Sequence, residues 1–204
     1  MNKLASIEYV DSLGLPTIFP RLITATDVGR VRRKVDSFYY DRTGGWVLRC
    51  GEMPDRCARL EGQLPWAIAN SKEGLVKSIL DMQKDVGARY YVFCHEQAEM
   101  IRGGIMLVEG NYVLVEAARG NPHELSAMFR GRRNPEQTVI FNPGMLSFKD
   151  EGKSVLGQRD LFELRGVERA VIWQELNAVV SPVAVEFSWL TNGRLYVHDI
   201  RVAA

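Results

Sequence analysis

Cysteine, excess charge and long apolar runs are all scarce in this sequence, and each scarcity narrows the class of protein. The three cysteines among 204 residues are an odd number without the spacing of a zinc site, so we expect reduced thiols and a cytoplasmic protein. The formal net charge of +1 gives no overall field that would attract nucleic acid. No apolar stretch is long enough to span a bilayer, and residues 1–20 lack the pattern of a secretory signal, so we expect no membrane partner.

Helix-like and strand-like segments mix along the chain, which predicts an α+β fold. Amphipathic spacing and capping residues predict a helix capped by Thr26 or Asp27, a second one capped by Asn70, and a third over residues 160–179. Strand-like segments at 89–95, 103–109 and 112–117 follow one another, the last two joined by a tight turn. Consecutive hairpins favour antiparallel sheets over a parallel doubly wound sheet.

The hairpin at residues 183–201 carries the strongest local signal. Asn192-Gly193 between two alternating runs is typical of a two-residue hairpin turn. Counting outward from such a turn places Glu186 directly opposite Asp199. The sequence therefore predicts two facing carboxylates on one pair of strands.

The alternation of side chains along a strand sorts this hairpin into two faces. The polar face is predicted to carry Glu186, Ser188, Asp199 and Arg201. The apolar face is predicted to carry Val183, Val185, Phe187 and Trp189 on the first strand and Tyr196, His198, Ile200 and Val202 on the second. We therefore interpret His198 as a core or interface histidine rather than a catalytic one.

Two carboxylates that face each other across a ladder, with Cβ atoms ~5 Å apart, need an interaction that offsets their repulsion. A hard cation such as Mg²⁺ fits Glu186 and Asp199, because it takes carboxylate oxygens and usually brings phosphates and water with it. Arg201 on the same face is placed to bind a phosphate oxygen. The alternative is a solvated polar face on which Arg201 pairs with one or both acids.

Glu116 raises a similar question, because it lies between Val115 and Ala117 in an apolar, strand-like run. An acid inside such a strand needs a partner. A bound cation would serve, and so would one of two nearby arginines, Arg102 or Arg119. The residues alone leave both alternatives open.

Five segments follow one another in an order that matches a known set of motifs. They are residues 47–55, 93–97, 102–106, 114–124 and 185–199. In that order they resemble the V-R-S-S, V-Q-E-M, S-G-V-M-F, I-E-A-x-x-G-L-G-E and closing D-I-E-x … G-x-L-Y-x-x-Q motifs of the ATP-grasp domain of phosphoenolpyruvate synthase and pyruvate phosphate dikinase. The thirteen-residue step from Glu186 to Asp199 also suits the two metal acids of ATP-grasp enzymes in general.

This resemblance implies an ATP-grasp-like fold of two lobes, with antiparallel sheets and flanking helices. It implies an N-terminal lobe over residues 1–92 and a C-terminal lobe over residues 93–204. It implies ATP and Mg²⁺ as ligands, with a catalytic arginine on the phosphates, an acid on the ribose and two acids on the metal. The residues implied in those roles are Arg49 for the phosphates, Glu96 for the ribose, Glu116 and Arg201 for the nucleotide site, and Glu186 and Asp199 for the metal.

The chain also departs from this family. Ala184 stands where the family has the first acid of D-I-E, and Asp199 stands where it has glutamine. The family's glycine-rich lysine segment and its phosphohistidine motif have no counterpart in these residues. Three functions therefore stay open. One is an ATP-dependent phosphotransferase or ligase with an unidentified phosphoacceptor, and the second is a catalytically degenerate binding module that acts as a homo-oligomer or with a partner subunit. The third is an oligomerising protein without a ligand, which requires that the hairpin acids pair with arginines.

Overall fold

The computed structural model describes residues 3–39, 45–52, 65–87, 90–110, 112–129, 131–142, 148–174 and 182–202. Within these ranges a few side chains fall outside the description, among them that of Arg201. The chain divides into two compact units. The unit called here the N-terminal unit comprises Asn2–Leu4 and Ile18–Ala98, and the C-terminal unit comprises Ala5–Thr17 and Glu99–Ala204.

Helices and strands mix along the described chain. In order they are α1 (Lys3–Ser12), β1 (Arg21–Ile23), α2 (Val28–Asp36), β2 (Trp46–Glu52), β3 (Trp66–Ala69), α3 (Lys72–Val86), β4 (Tyr90–Glu96), β5 (Met100–Glu109), β6 (Tyr112–Arg119), α4 (Pro122–Phe129), β7 (Gln137–Phe141), β8 (Phe148–Gly152), α5 (Gln158–Gln174), β9 (Val183–Leu190) and β10 (Leu195–Val202). The described strands pair antiparallel, which confirms the predicted α+β class. In the described ranges no helix is both long and apolar enough to span a membrane.

The N-terminal unit is a four-stranded sheet with the strand order β1-β4-β2-β3. Its core forms where α2 and α3 bury their apolar faces with one face of the sheet. Val31 and Val35 contribute from α2, and Leu75 and Ile79 contribute from α3. These residues recur at the helical period, and burying each such side chain stabilises the fold by about 1.5–3 kcal/mol.

Capping residues set the bounds of these helices. Asp27, one of the two predicted caps, accepts a hydrogen bond from the N–H of Arg30 at the start of α2. The cap of α3 is Ser71, which accepts from the N–H of Gly74, so the predicted cap at Asn70 is one residue too early. Gly87 ends α3 with a φ of 67°, the left-handed conformation that predicts glycine at this position.

Cys50 and Cys94 lie on the neighbouring strands β2 and β4 and are buried free thiols in this core. Burial raises the pKa of the Cys94 thiol to about 12 and raises the pKa of Cys50 as well. Because the thiolate is the reactive form of cysteine, burial disfavours reactivity at both positions. Cys94 is 0% exposed and packs here as a small hydrophobic residue. Cys57 lies outside the described residues.

The C-terminal unit is built on a six-stranded sheet with the strand order β10-β9-β5-β6-β7-β8. One face of this sheet packs on α5 through a row of aliphatic residues. Leu161, Leu164, Val167 and Val171 supply the helix side, and Val10 of α1 joins the same core. Along the inner strands this core face is apolar apart from Arg102 of β5 and Gln137 of β7, and the alternating positions, among them Glu116 and Glu186, lie on the other face.

Several short elements have no local signal in the sequence. Neither α1 nor any of the short strands β1, β3 and β8 is predicted. These strands form because β1 pairs with β4, β3 with β2 and β8 with β7, which no local pattern encodes. The predicted division of the chain after residue 92 falls within β4, and most of α1 belongs to the C-terminal unit.

Gln137 at the start of β7 is buried and holds the segment that precedes α5. Its Oε1 accepts from the N–H groups of Val155 (2.8 Å) and Leu156 (2.7 Å), and its Nε2 donates to Asp150 (2.9 Å). Gln137→Leu should leave two buried N–H groups without their acceptor and lower the free energy of unfolding by about 2–4 kcal/mol. Urea unfolding followed by circular dichroism measures this loss. Gln158→Leu makes the same substitution at an exposed position at the start of α5 and should change the free energy of unfolding by no more than about 0.5 kcal/mol, so equal losses for both variants would contradict this account.

Candidate functional site

The hairpin of β9 and β10 turns through three residues, one more than predicted. The N–H of Leu190 donates to the carbonyl of Arg194 (3.0 Å), and the N–H of Gly193 donates to the carbonyl of Leu190 (2.9 Å). Gly193 has a φ of 78°, the left-handed conformation typical of the last position of such a loop. Trp189 consequently pairs with Leu195, so the ladder starts one residue away from the predicted register.

A β-bulge at His198 moves the register back by one residue. Val197 pairs with Phe187, whereas the next pair along the ladder joins Asp199 to Glu186. One extra residue is thus inserted into β10, which is the definition of a bulge. The predicted position of Glu186 directly opposite Asp199 is confirmed, although the predicted two-residue turn is wrong.

The bulge also changes which residues of β10 face the core. Leu195 and Val197 lie on the core face, where simple alternation predicted Tyr196 and His198. Tyr196 pairs with Ser188 and therefore lies on the opposite face. The sequence contains a signal for this, because the apolar residues of β10 are two apart except for a three-residue step between Val197 and Ile200.

Asp199, Glu186 and Glu116 lie in one cross-strand row on one face of the six-stranded sheet, and Glu151 lies at the far end of the same row. Across the strands, Asp199 pairs with Glu186, Glu186 with Ile105, Ile105 with Glu116, and Glu116 with Thr138. Directly paired residues of antiparallel strands point to the same side, and this side is opposite the core packed on α5. Glu186 and Asp199 are both half-buried. Glu116 is two strands from Glu186, a separation of about 10 Å, so it lies on the same face without sharing one cation.

Asp199 has a hydrogen-bonding partner in the N-terminal helix. The hydroxyl of Ser6 in α1 donates to Oδ1 of Asp199 and accepts from the N–H of Ile200 (3.2 Å). Ser6 is 1% exposed. A carboxylate that is bonded in this way is held in one orientation.

Ser188 and His198 form a buried pair beside these acids. Oγ of Ser188 and Nε2 of His198 share a hydrogen bond of 2.5 Å. Their exposed fractions are 0% and 9%. His198 is therefore buried, as predicted, but it lies with the polar residues of the hairpin rather than in the aliphatic core.

The donor set of this face fits a magnesium ion that is carried by a nucleotide. Mg²⁺ is commonly bound through one or two carboxylates together with substrate phosphates and water. Glu186 and Asp199 supply two carboxylates from adjacent strands. Among the described residues no group of three or more histidine, cysteine or acidic side chains is placed to hold a metal ion. Glu186 and Asp199 would hold two positions of such an ion, and phosphate oxygens and water would supply the others.

The two arginines that could have paired with Glu116 are engaged elsewhere. Arg102 donates to Oδ1 of Asp160 (2.7 Å), and Arg119 donates to the carbonyl of Ser154 (2.6 Å). Glu116 is half-buried in β6. The role of Glu116 in a nucleotide site stays a prediction.

The other predicted residues lie as follows. Arg49 is exposed in β2, and its neighbours across the strands are Phe93 of β4 and Trp66 of β3. Glu96 is exposed at the last position of β4. Both belong to the N-terminal unit, whereas the acids on β6, β9 and β10 belong to the C-terminal unit. Arg201 pairs with a residue of β9 through its backbone, but its side chain lies outside the described part of the chain.

No protein-family model and no curated protein matches the sequence. Solved structures do match the fold. D-alanyl-alanine synthetase A from Vibrio cholerae is 9% identical with a TM-score of 0.57, and the match covers 98% of this chain and 54% of that one. N5-carboxyaminoimidazole synthase from Aspergillus clavatus, in complex with ADP and its ribonucleotide, is 10% identical with a TM-score of 0.56, covering 98% and 43%.

A third similar structure is the biotin carboxylase domain of Hydrogenobacter thermophilus 2-oxoglutarate carboxylase, solved with MgADP, ADP and bicarbonate. It is 16% identical with a TM-score of 0.53, and the match covers all of this chain and 40% of that one. The chain thus spans about half the length of the structures it matches. At these identities the likeness shows the fold alone, and that fold is an α+β fold of the ATP-grasp type.

Proposed function

We propose that this chain binds ATP together with Mg²⁺ on the sheet face of its C-terminal unit that carries Glu116, Glu186 and Asp199. The observation that supports this proposal most directly is the placement of Glu186 opposite Asp199 on adjacent strands of an ATP-grasp-type fold. The two acids are half-buried and come from different strands, so they gain most from a cation that bridges them. Two of the structurally similar enzymes contain ADP, one of them with magnesium.

The remaining site residues are proposed contacts of the same ligand. Arg49 is proposed to contact the phosphates and to stabilise the charge that develops on them during transfer. Glu96 is proposed to accept hydrogen bonds from ribose hydroxyls, and Glu116 and Arg201 to complete the nucleotide site. When bound, the magnesium ion would neutralise phosphate charge, while the side chains of the chain bind and orient the nucleotide.

Two activities are consistent with this site. The first is ATP-dependent phosphotransfer or ligation, related to the reaction of phosphoenolpyruvate synthase, with a phosphoacceptor that the site does not identify. The second is a catalytically degenerate binding or regulatory module that works with a partner subunit. One residue favours the binding module. Ala184 lies two residues before Glu186 on β9, at the position where the family resemblance expects a further acid.

Thermal unfolding with ATP alone, Mg²⁺ alone and both together tests the proposed site. We expect little shift with either component alone, since two carboxylates are too few ligands for free Mg²⁺. With both present at about 100 times the dissociation constant, the protein should gain about 2.7 kcal/mol of stability. For a chain of this length this gain corresponds to an increase in Tm of about 5–10 °C.

An unchanged Tm with ATP and Mg²⁺ together would contradict both the enzyme and the nucleotide-binding module. If ATP alone raises Tm as much as ATP with Mg²⁺ does, the nucleotide site stands but the proposed metal site is contradicted. Calcium in place of magnesium is a useful comparison, because it prefers more oxygen ligands and should support the shift less well. ATP hydrolysis and phosphotransfer to small carboxylic acids, measured on the same preparation, then separate the enzyme from the binding module.

A further inference from the structure

The β-bulge at His198 decides where the side chain of Asp199 points. If the register of the Phe187–Val197 pair continued without a bulge, His198 would pair with Glu186 and Asp199 would pair with Val185. A shift of one residue moves every later side chain to the other face of the sheet. Asp199 would then enter the aliphatic core.

We propose that the Ser188–His198 pair and Ser6 are positioning residues that fix this bulge and thereby hold Asp199 opposite Glu186. The inference rests on the proposed magnesium–nucleotide site, and it explains how a hairpin with a three-residue turn produces that site. Neither serine touches the ligand in this proposal. Both act through the backbone and the carboxylate of β10.

The first restraint acts from within the sheet. His198 is the extra residue of the bulge, and its Nε2 bonds to Oγ of Ser188 on the adjacent strand. Both side chains are buried, so water does not readily replace this bond. An extra residue in a bulge has no partner in the ladder. The side-chain bond to Ser188 therefore adds a cross-strand link at the position of the bulge.

The second restraint acts from the outer edge of β10. Before the bulge, the N–H of Val197 donates to the carbonyl of Pro16 (2.8 Å), and the hydroxyl of Thr17 donates to the carbonyl of Val197 (2.8 Å). After the bulge, Ser6 accepts from the N–H of Ile200 and donates to Asp199. The edge strand is thus held on both sides of His198, and the same hydroxyl orients the carboxylate.

Partners that orient a metal ligand without touching the metal typically change metal affinity 10–100-fold when they are removed. We therefore expect Ser188→Ala to weaken the apparent affinity for Mg²⁺ at saturating ATP by about tenfold or more. The affinity for ATP without metal should stay within about twofold, because the serine has no contact with the nucleotide. Ser6→Ala should act in the same direction from the other side of the strand. Isothermal titration of the full chain with MgCl₂, at fixed ATP, measures these effects.

Two further variants separate positioning from a general loss of stability. His198→Gln places an amide near the position of Nε2 and should keep most of the wild-type affinity for Mg²⁺. His198→Leu has no such polar group and should lose that affinity. Ser71→Ala removes the exposed capping hydroxyl of α3 in the N-terminal unit and lowers stability without touching the hairpin. It should leave the magnesium dependence unchanged.

The outcomes are distinguishable. If the wild type shows no magnesium-dependent ATP binding, the proposed function itself fails. If the wild type shows it and both Ser188→Ala and Ser6→Ala retain it at full strength, the positioning role is overturned. The role is also overturned if Ser71→Ala weakens magnesium binding as much as Ser188→Ala does, or if His198→Gln and His198→Leu are equally impaired.

Discussion

Replacing Trp189 with alanine is expected to lower the free energy of unfolding by about 3–5 kcal/mol, the range for truncating a large aromatic core residue. Trp189 is 0% exposed in the core of the C-terminal unit. Its ring packs edge-on against Phe187, with centroids 5.4 Å apart. Because a protein is stable by only about 5–15 kcal/mol, this one substitution removes a large fraction of the total.

The polar contacts of Trp189 place the loss toward the upper end of that range. The indole N–H donates to Oε2 of Glu163 in α5 (3.0 Å). The guanidinium carbon of Arg102 in β5 lies 5.1 Å from the ring centroid, and Arg102 in turn bonds to Asp160 in α5. One side chain thus joins two strands to the helix that covers the core, and alanine removes all of these contacts together.

Urea unfolding followed by far-ultraviolet circular dichroism measures the effect. Trp189→Phe keeps an aromatic ring in the core and should lose less than half as much as the alanine variant. Trp66→Ala is the matched tryptophan control, because Trp66 is 46% exposed on β3. Equal losses for Trp189→Ala and Trp66→Ala would show that burial does not determine the contribution of these residues.

The long helices could be predicted because their signals are local. The apolar residues of α3 recur at the helical period, a serine caps its first turn and Gly87 ends it. Only the choice between Asn70 and Ser71 was wrong, and both are good capping residues one position apart. Local signals of this kind predict helices well because a helix forms its backbone hydrogen bonds within one segment of the chain.

The hairpin shows a correct prediction reached through two compensating differences. Asn192-Gly193 indicated a two-residue turn, but the loop has three residues and shifts the register by one. The bulge at His198 then shifts it back, so Glu186 still faces Asp199. Alternation alone cannot place a bulge. The three-residue gap between apolar positions of β10 does place it, and it also explains why His198 leaves the core face.

Contacts between distant parts of the chain could not be predicted. Ser6 bonds to Asp199 across almost the whole sequence, and α1 itself has no local signal that indicates a helix. Pro16 and Thr17 cover the edge of β10 in the same way. An edge strand needs a cover against pairing with other chains, but the sequence does not say which segment provides it. The restraints on the acidic pair were therefore found only in the structure.

Replacing Glu186 with glutamine is expected to separate stability from ligand binding. Glutamine keeps the size of the side chain and removes one of two facing charges. Two like charges that face each other lower the free energy of unfolding by about 0.2–1 kcal/mol. A half-exposed carboxylate that pairs with a cation raises it by about 0–1 kcal/mol. These contributions are small and of opposite sign. The free energy of unfolding without ligand should therefore change by no more than about 1 kcal/mol in either direction.

The effect on binding ATP with Mg²⁺ should be far larger. Removing a residue that only orients a metal ligand costs about 10–100-fold, so removing a ligand itself should cost at least about 100-fold. At 100 times the wild-type dissociation constant, the stabilisation by ATP and Mg²⁺ should fall from about 2.7 to about 0.4 kcal/mol.

Glu151→Gln is the matched control, because Glu151 lies in the same row of the sheet on its far edge, opposite Thr138, and pairs with Lys149. If Glu186→Gln keeps the full stabilisation, or Glu151→Gln loses as much, Glu186 is not a magnesium ligand. The facing acids would then be held by cations of the chain itself.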